Sequence, residues 1–504
     1  MTDQKKYRLL ETVPGLAVWL TLGLAIIFSF IYPLATIYFI IAFDTYWLLR
    51  IAYLSIYVIN SWFNYRKNLK IDWWQKLNTE FGPTRSGPKN LANYYHLVFY
   101  PTYKEPYEVV RESFIKLCEV KYPLNKFMVV LAGEERDQEN FLVLAKKIEA
   151  EFASKFFSFL ITVHPKNLPE ELPGKGSNMH WADQRAQEMI DRLQLPYDNI
   201  ICSFFDIETW PDPQYFACLM YKFLTVPNPT RCSYQPLVLY NNNVWQSNPI
   251  IRVVASSTTF WLLTDMARSE RLFTFSSHSM SWRALVDIGW HTKTIVTEDS
   301  RLFLQGLLRY DGDYSVVPIY VPVSMCTVYI GKFWHSALNQ YKQMRRWAWG
   351  VEHFPFMVVN FWGKYGNKKI PFLKKIYYIW NQTEGVYSWA TAPLLIFILG
   401  RLPLWVANNS ARSTVLLQNA PYTLEKLMQF SMLGLMVITG LYIFLLPRKP
   451  NTKWYDYITM MLQWIVVPVT LLIFGAIPAT DAQTRLMLGG KYRLGFWVTE
   501  KKVN

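Results

Sequence analysis

Cysteine is scarce in this chain and scattered where it occurs. The five residues, Cys118, Cys202, Cys218, Cys232 and Cys326, form no CxxC pair and no ligand-like cluster. That argues against a disulfide framework and a thiolate zinc site. Buried free thiols in a reducing compartment are expected instead. Acidic residues are also short, 37 Asp and Glu against 52 Lys and Arg, which leaves a net charge of +15. No zinc-ligand spacing or RNP-like run accompanies the basic excess, so nucleic acid is not the expected partner. A cytoplasmic-side charge bias and attraction to anionic lipid heads account for it. No small-residue cleavage pattern follows the first apolar run, which therefore reads as an anchor, not a signal peptide. Internal repeats and low-complexity segments are missing as well.

Apolar and aromatic residues are plentiful. They make up 51% and 17% of the 504 residues, with 21 Trp. Such a chain can bury a sizeable core, with more than one domain expected. Aromatic excess is common where rings sit at membrane interfaces. Pro14 to Phe30 and Leu34 to Trp62 are each about the length of a bilayer span. Asp44 and Arg50 interrupt the second: Arg50 can snorkel near an end, and Asp44 marks either a functional carboxylate or a turn between shorter segments. Lys5, Lys6 and Arg8 precede the pair, and Arg66, Lys67 and Lys70 follow it. Both flanks read as cytoplasmic. Ser388 to Trp405 and Leu427 to Leu446 read as further spans. For Tyr455 to Ile477, a re-entrant or interfacial element is preferred to a full crossing, which would place Arg485, Lys491, Arg493, Lys501 and Lys502 outside.

Residues 1–70 thus read as two transmembrane helices, 71–93 as a linker and 94–351 as a cytoplasmic domain. Interfacial helices (352–386), C-terminal transmembrane helices with a possible re-entrant segment (387–482) and a cytoplasmic tail (483–504) follow. Within the domain, His96–Tyr100, Phe127–Leu131, Phe159–Val163 and Ile200–Phe205 read as strands. Glu108–Val120 and Asn140–Phe152 between them read as helices. The alternation predicts an α/β fold with a largely parallel sheet, and ligands at the carboxyl ends of its strands.

Four motifs in the domain bear chemistry. Pro173-Gly174-Lys175-Gly176-Ser177-Asn178 is a glycine-bearing turn that could approach phosphate closely. Asp206-Ile207-Glu208 ends an apolar strand; with i and i+2 on one side of an extended chain, two carboxylates could hold a divalent cation. Thr297-Glu298-Asp299 offers a base for an acceptor hydroxyl, or a helix N-cap with acids in the first turn. Gln343, Arg346 and Trp347 share one helical face, an amide and a guanidinium for diphosphate beside an indole platform for a sugar. Taken singly, the first three are more often structural, and the last is as often an interfacial helix face.

Their order within one block between spans resembles the membrane-embedded family-2 glycosyltransferases with a GT-A fold, among them cellulose, chitin and hyaluronan synthases. Phe496-Trp497-Val498-Thr499-Glu500-Lys501 is similar to the FxVTxK gating loop of the bacterial cellulose synthases. The resemblance implies that Thr102, Glu105, Lys175, Asn178, Gln343, Arg346, Thr499 and Lys501 bind the nucleotide. It implies Mg²⁺ or Mn²⁺ on Asp206 and Glu208, Asp299 as catalytic base, and Trp347 and Glu298 toward the acceptor. The chain departs from the family at Ala132-Gly133-Glu134-Glu135, where an Asp is usual, at Glu208, and at Ser277-His278-Ser279-Met280-Ser281. For His278 a structural hydrogen bond is expected.

The implied activity is inverting transfer from a nucleotide sugar, expected to be a UDP-sugar, to a growing polysaccharide. The implied location is the inner or plasma membrane, in contact with membrane lipids, with an export or oligomeric partner possible. Two alternatives stand beside it: a single transfer to a lipid acceptor, and a non-catalytic scaffold or export subunit that keeps the fold.

Overall fold

The computed structural model describes residues 3–82, 89–447 and 453–495. Its α/β part is built on eight strands: β1 (Tyr95–Pro101), β2 (Phe127–Glu134), β3 (Ser158–His164), β4 (Ile200–Phe204), β5 (Trp210–Pro211), β6 (Cys232–Tyr240), β7 (Ser279–Ser281) and β8 (Ser315–Met325). They form one sheet in the order β3-β2-β1-β4-β7-β6-β8-β5. β1, β2 and β4 are continuous buried runs, as expected for strands covered on both faces. Phe99, Phe114, Phe127, Phe204, Phe205 and Phe216 fill the core beside them.

β3, β2, β1 and β4 run parallel, whereas β7 is antiparallel to both β4 and β6. The chain steps outward from β1 through β2 to β3, then returns to lay β4 on the other side of β1. Strand order reverses there, and a crevice opens beyond the carboxyl ends of β1 and β4. Thr102 follows β1 directly, and Asp206 comes two residues after β4.

Among the described residues, four helices are long and apolar enough to cross a membrane: Gln4–Ile31, Pro33–Asn68, Val415–Leu445 and Trp454–Leu488. A fifth candidate is the pair Phe372–Phe397 and Leu399–Val406, bent by 43°. Pro33–Asn68 and Val415–Leu445 run side by side in the same direction: Ile37 and Ile40 cluster with Leu417 and Ala420, and the Trp62 ring lies 5.8 Å from Phe444.

Several boundaries differ from those expected. Part of the 71–93 linker is helix, Trp73–Phe81, because the Asp72 carboxylate caps it and Trp73 and Leu77, one turn apart, are buried together. No turn occurs at Asp44, since the Pro33–Asn68 helix is continuous there, and Arg50 pairs with Glu384 rather than reaching for an end. The boundary at 386/387 falls inside the Phe372–Phe397 helix. Trp454–Leu488 does not double back as a re-entrant hairpin; it is one run containing a π-helical turn at Leu471–Ala476. Contacts tie it to the α/β part along its length, through Trp245–Tyr457, Phe260–Trp464, and the carboxylate of Asp481 with Tyr341 and Arg345.

Candidate active site

Three segments far apart in the chain meet at one ammonium group. Lys175 Nζ lies 2.8 Å from Asp206 Oδ1, 3.1 Å from Asp299 Oδ2 and 3.8 Å from Glu298 Oε1. Lys175 opens the Lys175–Arg192 helix, and Glu298 and Asp299 open the Glu298–Arg309 helix. Asp206 sits at the mouth of β4. The helix of Lys175 can come this close because two glycines precede and follow the lysine. Gly174 takes φ +152° and ψ −166° at the N-cap, a region other residues avoid. A Cβ on Gly176 would lie 2.9 Å from the Thr292 carbonyl oxygen and 3.5 Å from Glu298 Cβ.

Burial by itself would draw the Lys175 ammonium toward neutrality, but Asp206, Asp299 and Glu298 outweigh it and raise its pKa. Lys175 is therefore a fixed cation. Glu298 answers differently: burial, then the neighbouring Asp299 charge, raise its carboxyl to about 7, while Lys175 and Arg346 act in the other direction. Its Oε2 is buried without a hydrogen-bond partner. The Asp299 side chain keeps 17% of its surface open against 4% for Glu298. Of the two acids, Asp299 is the more open.

A raised carboxyl has a consequence for stability. Glu298 favours the folded protein below its unfolded value of 4.5, and this contribution is lost as pH climbs through about 7. Glu298→Gln is expected to flatten that loss, with a gain of up to about 3 kcal/mol above neutrality. Chemical denaturation at pH 5 and at pH 8 checks it; equal changes at both values would refute the assignment.

The supporting side chains are short and polar. Ser276 Oγ donates to Asp206 Oδ2, and Thr274 Oγ1 donates to the Asp299 carbonyl at 2.6 Å. His278 is fully buried; Nδ1 donates to the Phe275 carbonyl at 3.0 Å, the structural bond expected of it. Burial holds its pKa down at about 4, so it faces Asp299 as a neutral ring. Thr297 occupies the N-cap position, yet its hydroxyl donates to Glu352 Oε1 at 2.6 Å instead of capping. The Asp206–Glu208 pair is not extended. Ile207 and Glu208 lie in a turn closed by Thr209 N–H donating to the Asp206 carbonyl, with Glu208 buried. The alternation that would aim both carboxylates one way does not apply.

Around the cluster, Asn178 Nδ2 and Thr102 N–H both donate to the Ala132 carbonyl, at 3.0 and 2.8 Å, which ties the β1 and β2 ends to the Lys175 helix. Glu105 accepts from Tyr103 N–H. At the end of β2, Glu134 is held by Arg136, whose guanidinium lies 4.6 Å from the Tyr103 ring centre. Asp137 accepts from Lys104 N–H at 2.9 Å. Gln343 is buried and accepts from Gln340 at 3.2 Å. Arg346 acts on both Glu298 and Tyr240, and Trp347 packs 6.3 Å from the Tyr240 ring. Thr499 and Lys501 lie outside the described residues.

No protein-family model and no curated protein sequence matches the chain. Solved structures do resemble it. One is the mannosyltransferase PcManGT from Pyrobaculum calidifontis in complex with GDP-Man and Mn²⁺, at 14% identity and a TM-score of 0.43, over 86% of this chain and 99% of that one. Another is S. aureus TarS 1–349 in complex with UDP-GlcNAc, at 13% identity and a TM-score of 0.31, over 69% and 92%. At these scores neither match decides what this chain does, and the geometry has to.

Among the described residues no three His, Cys, Asp or Glu side chains come together as a metal cage. A cation bound chiefly by a diphosphate needs only one or two protein carboxylates. Asp206 and Glu208 are hard oxygen donors of that kind. By donor chemistry the two acids suit Mg²⁺ or Mn²⁺, although the turn does not aim them to one side as an extended chain would.

Tyr240 and Ser276 were not among the expected site residues. Burial and the Asp206 charge raise the Tyr240 phenol, while Arg346 opposes them. Tyr240 ends β6, and β6 pairs with β7 and β8 but not with β4; no local motif marks it. Ser276 sits one residue before the Ser277–Ser281 segment singled out above, which was the available signal.

Proposed function

We propose that this chain is an integral-membrane inverting glycosyltransferase that draws on a nucleotide-diphosphate sugar. The observation that carries this reading is the meeting of Lys175, Asp206, Glu298 and Asp299 at the carboxyl edge of the sheet. Asp299 is the general base. It takes the proton of the acceptor hydroxyl, whose oxygen bonds to the anomeric carbon as the bond to the diphosphate breaks. One displacement from the opposite face inverts that carbon. Gln343 and Arg346 direct donor groups at the leaving diphosphate. Thr102, Glu105 and Asn178 border the nucleoside, and Trp347 and Glu298 lie on the acceptor side. Asp206 and Glu208 would hold Mg²⁺ or Mn²⁺, which when bound would neutralise charge on the leaving group. By the FxVTxK resemblance alone, Thr499 and Lys501 are assigned to the nucleotide.

The acceptor is a growing polysaccharide on the strength of the FxVTxK tail, with the α/β domain on the cytoplasmic side of the cell membrane. A lipid acceptor is the second reading. It is favoured by the number of apolar helices, four among the described residues, which is few for a polymer channel. The test is product analysis by mass spectrometry, using purified full-length protein and a panel of nucleotide sugars. Chains of many sugars support the polysaccharide, one sugar on a lipid supports the second reading, and no transfer from any donor overturns both.

A further inference from the structure

A second unusual charge lies where the α/β part meets the apolar helices. Arg252 is in the first turns of the Pro249–Met266 helix and is 8% exposed. A buried arginine is costly unless paired. Arg252 Nε has no hydrogen-bond partner, and the titratable group that acts on it is the Tyr442 hydroxyl, not a carboxylate. Ser256, one turn further along the same face, and Gln463 both adjoin Tyr442. All of these side chains are buried, and the Gln463 amide donates to Met460 Sδ at 3.6 Å. The Trp464 ring walls the group 5.4 Å from Tyr442.

We propose that Arg252, Ser256 and Tyr442, with Gln463 packed against Tyr442, form a site for a phosphate group. A guanidinium and two hydroxyls supply donors from two helices, which suits a tetrahedral oxyanion. The start of a helix adds partial positive charge. The surroundings connect the site to lipid. Phe444, Met461, Leu462 and Ile465, on the helices that contribute Tyr442 and Gln463, are exposed by 61%, 42%, 58% and 71%. An acyl chain lying on these side chains would leave its headgroup phosphate beside Arg252. Free phosphate carries the same chemistry without the chains. The site stands independently of the glycosyl-transfer reading, since none of its members belongs to the Lys175 cluster.

The test uses full-length protein in nanodiscs of phosphatidylcholine alone or with phosphatidylglycerol, and in detergent with or without inorganic phosphate. Thermal unfolding and lipid retained after washing are measured. Wild type is expected to unfold at a higher temperature with phosphatidylglycerol and to retain about tenfold more of it than Arg252→Met, the scale of a lost charge-assisted bond. In phosphatidylcholine alone, whose phosphate is neutralised by its own choline cation, the order reverses: Arg252→Met is at least as stable as wild type, because the buried charge has no anion to compensate it. Inorganic phosphate that stabilises wild type equally and displaces the lipid identifies free phosphate as the source. Should Arg252→Met fail to fold, Tyr442→Phe must reduce retention of phosphatidylglycerol. A wild type indifferent to both probes, or variants that respond as wild type does, overturns the proposal.

Discussion

Asp299→Asn is expected to lower the rate of sugar transfer by about 10²- to 10⁴-fold, the range for removing a general base. The change keeps the shape of the side chain, and the main chain beneath it is held independently by Thr274. Folding should therefore survive. Lys175 would lose one of its three carboxylates but keep Asp206 at 2.8 Å, so the cluster stays ordered and less negative. Stability is expected to be unchanged or slightly higher, and KM for the donor little altered, because the lost group acts on the acceptor. Steady-state kinetics on the purified protein, with unfolding measured in parallel, separates these effects. Transfer within about threefold of wild type would sink Asp299 as the base. A fall in rate accompanied by unfolding would say only that the residue is structural, which the Thr274 contact argues against.

Much of this site could be read from the chain before its fold. β1, β2 and β4 are unbroken apolar runs followed by polar residues, so the sheet and its ligand edge were legible in the strands themselves. The lysine turn, the acidic pair and the Thr297-Glu298-Asp299 motif each sit at the end or start of an element, as site residues on such sheets do. What was not legible depends on tertiary contacts. Glu208 leaves the extended geometry because a hydrogen bond closes the Asp206–Thr209 turn. Thr297 abandons its cap because Glu352, 55 residues on, takes its hydroxyl. Tyr240 reaches the site only because β6 lies across the sheet from β4. Trp454–Leu488 has the length and hydropathy of a span, yet its contacts with Trp245, Phe260 and Tyr341 depend on where the domain sits, which hydropathy does not encode.

Lys175→Met is expected to have the larger effect on the protein itself. The lysine is the one cation in direct contact with all three carboxylates, and its removal leaves them facing one another in a partly dry site. Breaking a buried ion pair by deleting one partner costs about 3–5 kcal/mol. The same change removes the positive charge nearest the expected diphosphate, so activity falls with stability. The pH dependence distinguishes this from a simple loss of packing. Without the lysine, the Glu298 carboxyl rises further above its unfolded value. Such a group stabilises the fold below its unfolded value and stops doing so as pH rises through its folded value. The deficit of Lys175→Met is therefore largest at pH 8 and shrinks toward pH 5, whereas a packing defect would not depend on pH. Adding Glu298→Gln to Lys175→Met should restore part of the stability at pH 8, because one of the three opposed charges is removed, but none of the transfer activity. Denaturation curves of the single and double variants at the two pH values check this. A double variant no more stable than Lys175→Met would mean that the lysine does not hold Glu298 in place, and the charge-clamp account of the site would fall.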